Sequence, residues 1–340
     1  MNTQLLSTSP EDLDIAAKLL KSGQLVGIPT ETVYGLAANA LNGEAVASIF
    51  AAKGRPQDNP LIVHIASLDA LPALVRSIPE KAMALAAHYW PGPLTMIFPR
   101  ADCIPQEVCA GLDTVAIRMP SHPIACELIR RSGCPLAAPS ANRSGIPSPT
   151  LASHVMEDMQ GRIAAVVDGG ECSVGVESTV VDMTRDVPRL LRPGGITPEM
   201  LRLVVGEIEI DSAVTHQLEA GRTAASPGMK YKHYSPNARV ILVKGAADTY
   251  CSYVNAHAGE VGTFALCFEE DRNVLKVPVV TYGHRNNSRE QARCLFDALR
   301  RLDEQGARIA YAAAPAKDGL GLAVYNRLLR AAGFEVITLE

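Results

Sequence analysis

No two of the eight cysteines lie closer together than Cys103 and Cys109, so the sequence has no C-x-x-C knuckle and no zinc-finger signature. They are scattered through apolar stretches, as Cys126 and Cys294 are, which reads as reduced, buried thiols in a cytoplasmic protein. A basic excess is missing too. Lys and Arg number 32 against 36 Asp and Glu, a formal net charge of -4. That balance argues against a protein that coats nucleic acid and leaves room for a local basic pocket. No apolar run is long enough to span a bilayer, and the start, MNTQLLSTSPEDL, lacks the basic opening and apolar run of a signal peptide. Neither a Walker A loop nor a dinucleotide G-x-G-x-x-G occurs, and the glycine pair in Gly319-Leu320-Gly321-Leu322 carries no weight for phosphate binding. What is present is an ordinary globular composition over 340 residues, enough for two domains.

The stretch that organises the chain is AKGRPQDNPLIVHI, Ala52 to Ile65. Lys53 and Arg55 stand where a helix over Glu44 to Ala52 ends, Pro56 stops it, Asn59-Pro60 turns the chain, and Leu61 to Ile65 starts a strand. A flexible ammonium beside a planar guanidinium suits a polyphosphate better than a single carboxylate. The competing reading is that basic residues simply cap the carbonyls of a helix end.

Ser9-Pro10-Glu11-Asp12 predicts a helix start, with Ile15, Ala16, Leu19 and Leu20 on one face and Gly23 at its end. Leu25 to Ile28 is a strand running into PTETVYGL, where Thr30 and Thr32 either meet a ligand or cap a turn. Leu94 to Phe98 and Thr114 to Ile117 read as strands, the second ending in Arg118-Met119-Pro120. Pro135 to Ala138 is a strand followed by Pro139-Ser140-Ala141-Asn142, a turn or a nucleotide contact. Thr150 is the expected N-cap of the next helix. Strands over Ser178 to Val181 and Arg189 to Arg192 close this region, and Thr197-Pro198-Glu199 repeats the helix-start signature. Residues 1–205 form one α/β domain whose strand ends finish in hydroxyls or arginines. Residues 206–237 lose periodicity and end in SPGMKYKHYSP, read as a linker that serves as an active-site lid, its cations and aromatic rings set over an anionic, aromatic ligand. From residue 238 to 340, strands alternate with helices, the pattern of a small parallel-sheet domain. The helix from Ser288 places Ala292, Leu295, Phe296, Leu299 and Leu302 on one stripe.

PTETVYGL, Lys53-Gly54-Arg55-Pro56, Asn59-Pro60-Leu61, Trp90-Pro91-Gly92-Pro93-Leu94-Thr95, Arg118-Met119-Pro120, Pro139 to Asn142, Glu177-Ser178-Thr179 and Leu191-Arg192-Pro193-Gly194 occur in this order. Together they resemble the threonylcarbamoyl-AMP synthase family, in its two-domain form. The resemblance implies a YrdC-like twisted mixed sheet with helices, followed by a smaller Rossmann-like parallel-sheet domain. It implies synthesis of L-threonylcarbamoyladenylate and pyrophosphate from L-threonine, bicarbonate and ATP, with Mg2+ accompanying ATP. The product would feed threonylcarbamoyladenosine modification of tRNA next to the anticodon, through a downstream transfer machinery. Lys53 and Arg55 would hold the triphosphate and carry catalysis. Ser140, Asn142, Asn59, Thr114, Ser148, Arg192 and Tyr234 would complete the nucleotide site. Thr32, His64, Arg118 and Ser178 would hold threonine, Arg118 taking its carboxylate. Glu31 and Glu177 are weak candidates for a general base, and no metal ligand set is expected from the protein. No membrane and no stable nucleic-acid binding are expected. The rival from another class is a non-catalytic module for double-stranded RNA or tRNA, with the basic loop on phosphates.

Overall fold

The computed structural model describes residues 2–217 and 233–340. Residues 218–232 of the expected lid, including the Lys230-Tyr231-Lys232 run, lie outside them. Contacts divide the described chain into two units. The first comprises residues 2–144 and Ser148–Val214, the second Gly145–Pro147, Thr215–Gln217 and residues 233–340.

Eleven strands make the sheet of the first unit. They are β1 (Gln4–Leu6), β2 (Val26–Ile28), β3 (Gly35–Asn39), β4 (Ile62–His64), β5 (Leu94–Pro99), β6 (Thr114–Arg118), β7 (Leu136–Ala137), β8 (Ala165–Val167), β9 (Thr179–Asp182), β10 (Arg189–Arg192) and β11 (Glu209–Ile210). Their order is β1-β8-β2-β3-β7-β4-β6-β5-β9-β10-β11. Parallel and antiparallel pairs are mixed: β4 runs parallel to β6, and β5 antiparallel to β6. The expected mixed sheet is therefore present. The strand period sorts its two faces. Leu61, Val63, Val115, Ile117, Leu94, Met96, Phe98, Val181 and Leu190 enter one large core. Ile62, Ala116, Ile97, Val180 and Leu191 make a smaller cluster on the opposite face.

Helix ends follow local chemistry. Ser9 accepts from the Asp12 amide, and Gly54 and Gly133 close their helices in the left-handed conformation. Two expectations are corrected. The buried face of Pro10–Lys21 is Leu13, Ala16, Ala17 and Leu20, while Ile15 is 40% exposed, so the stripe is turned from the one expected. Thr150 is not an N-cap: the helix is Ala152–Met159, preceded by Leu151 without a side-chain cap.

The second unit holds five parallel strands, β12 (Arg239–Lys244), β13 (Thr263–Cys267), β14 (Val279–Thr281), β15 (Ile309–Ala313) and β16 (Val336–Thr338), ordered β14-β13-β15-β12-β16. The expected Rossmann-like parallel sheet is present, and the predicted stripe on Ser288–Glu304 is buried. All eight cysteines are free thiols. Among the described residues, no helix is long and apolar enough to cross a membrane.

Candidate active site

The site begins with a row across the sheet of the first unit. His64 pairs with Arg118, Arg118 with Thr95, Thr95 with Val180, and Val180 with Arg192. Residues directly opposite one another on neighbouring strands share a face, so His64, Arg118 and Thr95 stand on the side of the smaller cluster. A register irregularity between Leu190 and Arg192 re-aims the Arg192 side chain. Its Nε donates to Ser178 O at 3.0 Å and its Nη2 to Ser178 Oγ at 3.1 Å. The Ser178 hydroxyl also bonds the Thr95 hydroxyl at 2.8 Å. Thr95 was given no role by sequence reasoning. The available signal was its place beside Arg118 in the alternation of Leu94–Pro99, which only the strand pairing makes visible.

The PTETVYGL loop closes over one end of this row. Thr30 Oγ1 donates to Val33 O at 2.6 Å and bonds Thr32 Oγ1 at 2.8 Å. That fold of the loop turns Thr32 and Glu31 together onto Arg118: Nη1 donates to Thr32 Oγ1 at 2.8 Å, and Nη2 lies 2.6 Å from Glu31 Oε1. The guanidinium's Nε donates to Gly92 O at 3.3 Å. Burial alone would raise the Glu31 pKa. Arg118, with help from nearby backbone N–H groups, outweighs it and holds the carboxyl below its ordinary range. His64 is pushed down to about 3, by burial first and Arg118 second, so its ring is neutral. Its Nδ1 lies 3.2 Å from Ile62 O.

The cationic loop supplies a second cluster. Helix Gly43–Lys53 ends with Lys53 only 5% exposed, and its ammonium donates to Ser140 O and, at 2.6 Å, to Asn142 O. Burial first and Arg55 second lower Lys53 to about 7, against the pull of Asp158 and Glu177. Arg55 Nη2 donates to Asn59 O at 2.7 Å and its guanidinium lies over the Phe50 ring. Asn59 is buried, and its Oδ1 has no hydrogen-bond partner among the described residues. Ser140 bridges Gly35, tying the PSAN turn to the end of PTETVYGL. Ser148 Oγ donates to Glu177 Oε1 at 2.5 Å. Glu177 thus lies between Ser148, the field of Lys53, and its chain neighbour Ser178.

The expected residues fall into groups. Lys53, Ser140 and Asn142 are in direct contact, Arg55 holds Asn59, and Ser178 connects Arg192 through Thr95 to Arg118, His64 and Thr32. Thr114 starts the strand that ends at Arg118, so it lies at the opposite end of β6 from the row, toward Asn59-Pro60 by the β4–β6 register. Tyr234 belongs to the second unit, where it is buried with a left-handed backbone (φ 64°) and its ring 5.2 Å from Phe296.

Gly194 shows how tightly the row is built. A Cβ there would sit 2.3 Å from Thr179 N and 2.6 Å from both Glu177 O and Ser178 C. Gly194→Ala is therefore expected to cost about 1–3 kcal/mol of stability and to raise the KM for the ligand of Ser178. Denaturant unfolding and steady-state kinetics check both.

Similarity to known proteins agrees with this geometry. A family described as telomere recombination (Sua5, YciO, YrdC) matches residues 18–194, and the C-terminal domain of threonylcarbamoyl-AMP synthase matches 196–333. Threonylcarbamoyl-AMP synthase of Pyrococcus abyssi is 48% identical over 332 residues, covering 95% of this chain and 94% of that protein. That of Bacillus subtilis is 47% identical over 338 residues, covering 98% and 97%. A crystal structure of P. abyssi Sua5 complexed with L-threonine superposes with a TM-score of 0.92 at 45% identity, covering 100% of each chain. Full-length identity at this level, with both domains matched in order, means that the chain belongs to the threonylcarbamoyl-AMP synthase family.

Proposed function

We propose that the first unit binds ATP and L-threonine side by side and, with bicarbonate, makes L-threonylcarbamoyladenylate, pyrophosphate and water. The observation that carries this reading is that the Ser140–Gly35 bridge ties the turn on Lys53 to the PTETVYGL stretch, whose Thr32 and Glu31 meet Arg118. Threonine lies on the row, its carboxylate toward Arg118, with Thr32, neutral His64 and Ser178 around its remaining groups. The triphosphate lies on Lys53 and Arg55. Ser140, Asn142, Asn59, Thr114 and Ser148 line the nucleotide. Arg192 adjoins Ser178, so it suits the α-phosphate next to the amino acid.

The amine of threonine takes up bicarbonate with loss of water. A carbamate oxygen then attacks the α-phosphorus, and pyrophosphate leaves. Such a displacement needs alignment and charge neutralisation, which buried cations and hydroxyls supply. The carbamate and its adenylate are labile in water, which suits the lid expected of residues 206–237. An ATP-using synthase suits a divalent metal ion, here magnesium brought in with the phosphates. Among the described residues no three His, Cys, Asp or Glu groups come together to hold an ion alone. Mg2+ ordinarily keeps waters and phosphate oxygens around one or two carboxylates, and Glu177, beside Ser148 and Lys53, fits as one of them. Bound there, the ion would offset phosphate charge.

A non-catalytic RNA-binding module is disfavoured because the cations are buried: Lys53, Arg118 and Arg192 are 5%, 4% and 5% exposed. Duplex phosphates are met by displayed cations. The eight free thiols accord with a cytoplasmic setting, where the product passes to a tRNA threonylcarbamoyl-transfer machinery. Pyrophosphate release is expected only when ATP, threonine and bicarbonate are all present. Release without threonine, or salt-sensitive RNA binding with no release, would overturn the reading.

A further inference from the structure

Glu31 meets Arg118 but has been given no ligand so far, yet it is as deeply placed as Arg118, at 6% and 4% exposed. The two charges approach to 2.6 Å. Even so, neither oxygen of Glu31, nor Arg118 Nη2, has a partner in hydrogen-bond geometry among the described residues. The two charges offset each other, and the two acceptors and one donor keep hydrogen-bonding capacity to spare. Buried polar atoms of this kind mark places where a ligand completes the set.

The ligand that fits must bring N–H donors to Glu31 and an oxygen acceptor to Arg118, and it must carry no net charge, because the pair is already neutral. An amino-acid zwitterion meets all three conditions. We infer that Glu31 and Arg118 together form a receptor for the zwitterion, Glu31 taking the ammonium and Arg118 the carboxylate, so that Glu31 sets specificity for an amino acid over a simple acid. The inference rests on the placement of the threonine carboxylate at Arg118. The loop geometry supports it: Thr30 locks the turn that aims Glu31 and Thr32 at one guanidinium from adjacent positions. Held ionised by its neighbour, this carboxylate would accept hydrogen bonds from the ammonium.

The test compares L-threonine with 2,3-dihydroxybutyrate, in which a hydroxyl replaces the ammonium, by calorimetric titration of the full-length protein. The wild type is expected to prefer threonine strongly. Glu31→Gln is expected to weaken threonine at least tenfold and to lower its preference over dihydroxybutyrate at least tenfold, and Glu31→Asp to restore part of that preference. The ratio is read on folded protein only, so partial unfolding of a variant leaves it unmoved. Equal loss for both ligands would make Glu31 merely structural and overturn the inference, as would no change. Arg118→Gln separates the underlying placement: unchanged threonine affinity there would show the carboxylate to bind elsewhere, and the zwitterion receptor would fall with it.

Discussion

Lys53→Met is expected to slow threonine- and bicarbonate-dependent pyrophosphate release by about 100- to 1,000-fold, the usual loss when a preorganised charge donor to a transition state is removed. The substitution keeps most of the side-chain volume at a buried position while removing the two hydrogen bonds to Ser140 O and Asn142 O. Those carbonyls shape the PSAN turn, so the nucleotide KM rises as well. The same residue predicts a pH dependence. Lys53 lies at about 7 in the free protein against an ordinary 10.5. Between those values the unfolded chain binds more protons than the folded one, so stability rises with pH across that window. ATP acts in the opposite sense. A triphosphate favours the charged ammonium, so binding takes up protons and affinity falls as pH rises through the same window. Calorimetry in buffers of different ionisation enthalpy reads the uptake, and Lys53→Met should abolish it. A rate within tenfold of wild type, or unchanged proton uptake, would remove Lys53 from the phosphate site.

Arg118→Ala is expected to have the second largest effect, through two separable routes. It strips the threonine carboxylate of its cation, raising the threonine KM by about 100-fold or more if two charge-assisted bonds of roughly 1.5–3 kcal/mol each are lost. It also leaves Glu31 as an unpaired buried carboxylate, which costs about 3–5 kcal/mol of stability. Combining Arg118→Ala with Glu31→Gln should recover much of the stability and none of the threonine affinity. Chemical denaturation and steady-state kinetics of the single and double variants read the two routes apart. Recovery of activity in the double variant would show that Arg118 serves only to neutralise Glu31.

What the sequence made legible is local chemistry. Ser9, Gly54, Gly133 and Thr197 act at helix ends as their types predict, because capping depends on a residue and its near neighbours. The alternation of Thr114 to Arg118 is visible for the same reason. What lay beyond it is long-range. Thr95 and Ser178 meet only because β5 pairs with β9, and nothing near either residue announces that pairing. β3 reads GLAAN, poor in the β-branched and aromatic residues that mark strands, and is held by β2 and β7 rather than by propensity. Gly194 looks like a turn glycine, and its requirement comes from the backbone of residues 177–179 lying against it. Glu31 drew attention only as a weak base candidate. Its burial against a cation 87 residues further on is a tertiary fact.

The central claim is that the cationic loop and the sheet row form one pocket for ATP and threonine together. A crystal structure with a non-hydrolysable ATP analogue and L-threonine tests it most directly. The phosphates should lie on Lys53 and Arg55, with the threonine carboxylate at Arg118 in the same pocket. Nucleotide and amino acid on separate surfaces, or phosphates away from residues 53 and 55, would contradict it.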